Sequence, residues 1–138
     1  MSSHLVLVDN EAVQALGNPA HPKHPHVVSH VQVVASRRRR AMPVTVAVPT
    51  AIRVEAGWNR NSPAWAFLNR LRIADVPLDA LYANAAASIR HTAQVSVADA
   101  HIGAVVQSAS ADRISVITSD PADMRRIAGD RNVIVVTI

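Results

Sequence analysis

The stretch His4-Leu5-Val6-Leu7-Val8-Asp9 (HLVLVD, residues 4–9) decides the fold. His4 to Val8 has the length and β-branched content of a buried parallel strand, and it stops at an acid. A carboxylate at the end of a buried strand needs several hydrogen bonds or a metal to offset its desolvation. Asp9 is therefore the first candidate functional residue.

Downstream of Asp9, Asn10 to Leu16 reads as a helix stopped by Gly17-Asn18-Pro19. A Pro/His-rich loop follows. The sequence then predicts a helix from about His26 to Arg39, with Val27, Val28, Val31 and Val34 on its apolar face. Val44 to Val48 is a second strand, and Pro49-Thr50 opens a helix through about Trp58 that turns Ile52 and the Val54 to Ala56 region inward. Ser62-Pro63 pairs an N-cap with proline at the first helical position, opening a helix with Trp65, Leu68, Leu71 and Arg72 at helical spacing. Val76 and Leu78 form a short extended piece, and Asp79 caps an Ala-rich helix toward His91. Ser96 to Asp99 is a capping box leading a helix to about Ala109. Arg113 to Thr118 is a strand, Asp120-Pro121 caps a helix ending near Gly129, and Asn132 to Thr137 is the last strand. Apolar strands alternating with helices imply an α/β fold with a parallel sheet covered on both faces. There is no repeat, linker or low-complexity tail, so a single domain is expected over residues 1–138.

At 138 residues the chain can bury one core, about two-thirds of the surface its unfolded form exposes. It has no cysteine, which excludes disulfides and thiolate metal sites and points to a cytoplasmic protein whose metals, if any, take oxygen or imidazole ligands. No run approaches the roughly 18 apolar residues of a membrane span, and the polar start Met1-Ser2-Ser3-His4 is unlike a signal peptide. Fourteen Lys and Arg face ten Asp and Glu, and every base but Lys23 is arginine. Arginine suits bidentate phosphate contacts, although genomic base composition can produce the same bias.

In an open parallel sheet, ligands bind beyond the carboxyl ends of the strands where strand order reverses. Asp9 and Asp120 both follow strands and project toward that edge; Asp99 opens a helix that starts nearby. Taken singly, Asp99 fits a capping box, Asp120 an N-cap and Glu55 an exposed helix acid. Four segments taken together, LVLVDN (5–10), VPTAIRVEAGW (48–58), SVADAHIGAVV (96–106) and VITSDPADM (116–124), resemble the PIN-domain family, above all the VapC toxins of type II toxin–antitoxin pairs. The resemblance puts the family's four acids on Asp9, Glu55, Asp99 and Asp120. In one respect the chain departs from the pattern: Asn10 stands where the family has Thr or Ser. Thr118 and Ser119 match its polar residues beside the fourth acid, and Asp123, a turn further on, either reaches metal through water or compensates the helix start.

The resemblance implies a three-layer α/β/α sandwich and a Mg2+-dependent endoribonuclease, with Mn2+ an alternative ion. The four acids would act as metal ligands and catalytic residues, and metal-activated water would attack phosphorus to leave a 5′-phosphate and a 3′-hydroxyl. The implied partners are RNA, a cognate antitoxin and a second copy of the chain. Such hydrolysis needs an activated water and neutralised phosphate charge, and carboxylate-held divalent ions supply both. With four acids in the cleft, six acids face 14 bases elsewhere, a surplus that would grip a phosphate backbone and make binding salt-dependent. Arg37, Arg38, Arg39 and Arg40 form the densest basic patch, serving either RNA contact or the helix C-terminus.

His21, His24, His26 and His30 resemble a metal tract, but Pro22 and Pro25 argue for a loop. Trp58 and Trp65 read as core or interface anchors. Other classes lack their marks: a receiver-type phosphoacceptor needs a late lysine, a haloacid-dehalogenase-type phosphatase needs Asp-x-Asp where this chain has Asp9-Asn10-Glu11, and four glycines leave no Gly-x-Gly-x-x-Gly. The remaining alternative is a silent PIN-fold protein that binds RNA or an antitoxin without cutting.

Overall fold

The structure, a computed structural model, describes residues 3–39 and 43–138, the side chains of 34–39 excepted. β1 (His4–Val8) leads to α1 (Asn10–Gly17) and α2 (His24–Arg39), then β2 (Val44–Pro49) and α3 (Thr50–Ala56). A 3₁₀ turn (Pro63–Trp65) and α4 (Ala66–Arg70) precede β3 (Ile73–Val76). The chain continues through α5 (Ala80–Ala93), α6 (Val97–Ser108), β4 (Arg113–Thr118), α7 (Pro121–Ile127) and β5 (Ile134–Thr137). The five strands form one sheet in the order β3-β2-β1-β4-β5, every pairing parallel.

That order follows from burial. β1 carries Val6, Leu7 and Val8, all nearly inaccessible to solvent, so it needs a partner on each side and a layer on each face. β2 and β4 flank it, Val6 lying opposite both Val46 and Ser115. On one face α2 sets His30 and Val33 across a cavity from Val6, Ser115 and Ile117. On the other, Tyr82 of α5 and Val105 of α6 approach Leu5 and Thr45. Right-handed crossovers dictate this split, because the chain winds outward from β1 in opposite directions before and after β3. The result is a three-layer α/β/α sandwich. No helix among the described residues is long and apolar enough to cross a membrane.

Several sequence expectations need correction. α2 begins at His24, not near His26. Pro25 falls in its first turn, where a missing N–H costs nothing. The histidine tract is thus largely helical: the rings of His26 and His30 stand 4.9 Å apart, while His21 pairs with Glu11 at 3.1 Å. α3 ends at Ala56, because Gly57 adopts φ +75° and its N–H closes the helix on Arg53 and Val54. Val54, expected to face inward, is 82% exposed, whereas Ile52 is fully buried. The helix opened by Ser62-Pro63 is a 3₁₀ turn followed by five α-helical residues. The extended piece at Val76 is an edge strand beginning at Ile73, and Leu78 lies beyond it. The last strand starts at Ile134, not Asn132.

Candidate active site

Asp9 leaves β1 at the point where strand order reverses, between β1 and β4. Its backbone N–H donates to the Ile117 carbonyl at 3.2 Å, which continues the sheet one residue past the strand. The side chain is only 6% exposed. Oδ1 accepts the Ala12 N–H at 2.8 Å and so caps α1, while Oδ2 accepts the Ser119 N–H at 3.3 Å. Burial pushes its pKa up, against the opposing hydrogen bonds from Thr118, Ala12 and Ser119. Two backbone N–H groups and a hydroxyl thus supply the compensation that a buried strand-end acid requires.

Thr118, fully buried at the end of β4, ties Asp9 to the next acid. Its hydroxyl donates to Asp9 and accepts the Asp120 N–H at 2.9 Å. Asp120 caps α7 through its Oδ1, which accepts the Asp123 N–H at 3.2 Å. Asp123, one turn into α7, pairs with Arg126. Burial and the adjacent Asp120 carboxylate raise its pKa, and Arg126 counters them.

Asp99 lies in the first turn of α6, whose N-cap Ser96 accepts the Asp99 N–H at 3.1 Å. Its pKa is pushed up to about 6, first by burial and then by the negative charges of Glu55, Asp9, Asp123 and Asp120. Five acids, three on α3, α6 and α7 and two just past the ends of β1 and β4, thus share one edge of the sheet. Glu55, exposed on α3, joins them through Asn10, whose Nδ2 donates to Glu55 Oε1 at 3.0 Å.

The four sequence-selected acids therefore occupy one edge of the sheet, with Asn10, Thr118, Ser119 and Asp123 among them. Among the described residues, however, no three His, Asp or Glu side chains stand close enough together to hold one metal ion as they are. Asp9 and Asp120 are drawn to helix N-termini and Glu55 to Asn10. The donor set still fits a hard cation, since all its ligands are oxygens and Mg2+ binds through one or two carboxylates while keeping several waters. Asp99, raised by burial and then by the charges of Glu55 and Asp9, is the carboxyl whose crowding a divalent ion would relieve. Arg37 to Arg40 lie outside the residues whose side chains are described.

Gln14 and Arg126 did not stand out in the sequence. Gln14 Nε2 donates to Asn10 Oδ1 and to the Ala56 carbonyl, both at 3.4 Å. The signal available for each was helical spacing alone: Gln14 lies four residues beyond Asn10, and Arg126 three beyond Asp123.

No family model matches the chain, and no curated protein matches it by sequence. Solved structures match it by fold. VapBC2 from Rickettsia felis, bound to a DNA fragment from its promoter, superposes with a TM-score of 0.64 at 11% identity, over 97% of this chain and 98% of that one. FitAB bound to an IR36 DNA fragment superposes with a TM-score of 0.55 at 19% identity, over 94% of each chain. Both are PIN-domain toxin–antitoxin proteins, and the parallel five-stranded sheet with its two helical layers gives this chain the same PIN-like fold.

Proposed function

We propose that the chain is a divalent-metal-dependent endoribonuclease and the toxin of a toxin–antitoxin pair. The observation that carries this reading is Asp99: a half-buried carboxyl lifted to about 6 by burial and by four other acids around it at the switch point. Crowded carboxylates destabilise a fold unless something offsets their repulsion. In this reading Asp9, Glu55, Asp99 and Asp120 would hold Mg2+, or Mn2+ in its place. When bound, the ion makes water nucleophilic and neutralises phosphate charge. The Thr118 hydroxyl keeps Asp9 oriented, and Arg126, held by Asp123 at the rim, offers a guanidinium to a substrate phosphate. RNA is the expected substrate, and the chain's cation surplus supports a polyanion.

An antitoxin partner is supported by the two complexes that share the fold, VapBC2 and FitAB. Beside Glu55 lies an apolar groove that includes Leu78, Val97 and the 82% exposed Val54. Exposed apolar surface of this kind marks an interaction face, for the antitoxin or for the second copy of a homodimer. A chain without cysteine suits a cytoplasmic setting.

The test is cleavage of labelled total RNA with Mg2+ or Mn2+, run beside EDTA and an Asp9→Asn, Asp99→Asn double variant. Discrete fragments that vanish in both controls are the expected result. Intact RNA under every condition would favour the silent PIN-fold reading.

A further inference from the structure

Glu55 is the outlier among the clustered acids. Asp9 and Asp120 are anchored by backbone N–H groups and Asp99 sits in a capped first turn, but Glu55 is exposed on α3, has a long side chain and takes no backbone N–H among these bonds. Its charge is among those that raise Asp99, so repulsion drives it away from the cluster. One neutral donor opposes this. Asn10, the first residue of α1 and the neighbour of Asp9, donates from Nδ2 to Glu55 Oε1 at 3.0 Å.

The direction of that bond is fixed by a second amide. The Ala56 carbonyl can only accept, so Gln14 must present its NH2 group there, at 3.4 Å. The same Nε2 donates to Asn10 Oδ1 at 3.4 Å, which leaves the Nδ2 of Asn10 facing Glu55. We propose that Asn10 is a positioning residue that holds Glu55 in the acid cluster, and that Gln14 sets the orientation of Asn10. This rests on the reading of the cluster as a metal site.

Chemistry distinguishes this role from mere polarity. A donor without charge holds the carboxylate and adds nothing to the repulsion, whereas an acid at position 10 would push it out. Alanine offers no donor at all. Serine keeps a donor but on a shorter arm.

The experiment titrates Mn2+ alone, read by electron paramagnetic resonance, into the wild type and into Asn10→Ala, Asn10→Ser, Asn10→Asp, Gln14→Met, Glu55→Ala and the Asn10→Ala, Glu55→Ala pair. Loss of one solvent-exposed hydrogen bond predicts about a 3- to 10-fold weaker Mn2+ affinity for Asn10→Ala. Asn10→Ser should fall between the two, Asn10→Asp should bind no better than Asn10→Ala, and Gln14→Met should weaken binding about 2- to 3-fold. Melting temperatures should stay near that of the wild type, and kcat on RNA should fall with KM little changed. In the Glu55→Ala background, Asn10→Ala should have no further effect. Wild-type Mn2+ affinity in Asn10→Ala, or an equal loss in the Glu55→Ala background, overturns the positioning role and leaves the metal reading intact. A wild type that binds no Mn2+ overturns both. Gln14→Met, which leaves Asn10 in place, keeps the test decisive should Asn10→Ala fail to fold.

Discussion

Asp9 serves two functions that substitutions can separate. Asparagine keeps an Oδ1 to accept the Ala12 N–H, and its Nδ2 can donate to the Thr118 hydroxyl, which has a second lone pair beside the one used by Asp120. It loses the Ser119 hydrogen bond and removes a buried charge. Asp9→Asn should therefore abolish RNA cleavage while leaving the metal-free protein's urea midpoint close to that of the wild type. Asp9→Ala discards the cap and should cost about 1–2 kcal/mol in the same measurement. A large loss in Asp9→Asn would make Asp9 a structural residue first. Asp99 adds a pH dependence. Its folded pKa of about 6 exceeds the ordinary 3.8, so protonation favours the fold: the contribution is complete below the ordinary value and is lost as pH rises through about 6. Calorimetry of the metal-free protein should show Asp99→Asn more stable than the wild type near neutral pH, with the gap closing as the pH falls toward 4. A gap independent of pH would remove Asp99 from the cluster's electrostatics. That these acids lie at one edge of the sheet was legible, because an acid ending a buried strand and acids capping helices beside it are sequence features. The link from Asn10 to Glu55 spans 45 residues and has no local signature.

Between elements, the contact that places Asp99 relative to Asp120 is the packing of α6 on α7. Gly103 allows it: a Cβ there would lie 2.9 Å from the Ile127 carbonyl oxygen and 3.0 Å from its Cβ, both rigidly placed. Gly103→Ala should cost about 1–3 kcal/mol in urea unfolding, and because it pushes α7 away it should also lower cleavage beyond what stability explains. Unchanged stability would mean the two helices slide freely. The helices with caps were readable in sequence: Asp79 opens α5, Ser96 opens α6 and Asp120 opens α7, each side chain accepting a backbone N–H as the residue type suggests. β3 was not. It has four residues, one of them Asp75, and a charge mid-strand argues against a strand until Arg53 and Arg60 are seen reaching it at 2.9 Å. Although burial acts the other way, those two guanidinium groups hold the Asp75 carboxyl below its usual range. Val54 misled for a similar reason. An apolar residue beside a buried isoleucine looks internal until a groove is found to border it.

For the molecule as a whole, ion binding should appear as stability. An ion held only by the native acids stabilises the fold by mass action, by about 2.7 kcal/mol at a hundredfold excess over Kd, and so raises the melting temperature. Millimolar Mg2+ or Mn2+ should therefore stabilise the wild type, EDTA should reverse the gain, and the Asp9→Asn, Asp99→Asn variant should show none. Equal stabilisation of both proteins would assign the effect to nonspecific ions. The sheet order has a consequence in time as well as in space. β1 and β4 form the switch point, and His4 pairs with Arg113, so more than a hundred residues must be polymerised between the two. At about 5–20 residues per second, a growing chain carries Asp9 for several seconds before the strand that completes its surroundings exists, and Asp120 follows later still. The winding of the polypeptide thus works as a delay line: the acids at the switch point cannot come together until β4 and the start of α7 have been made.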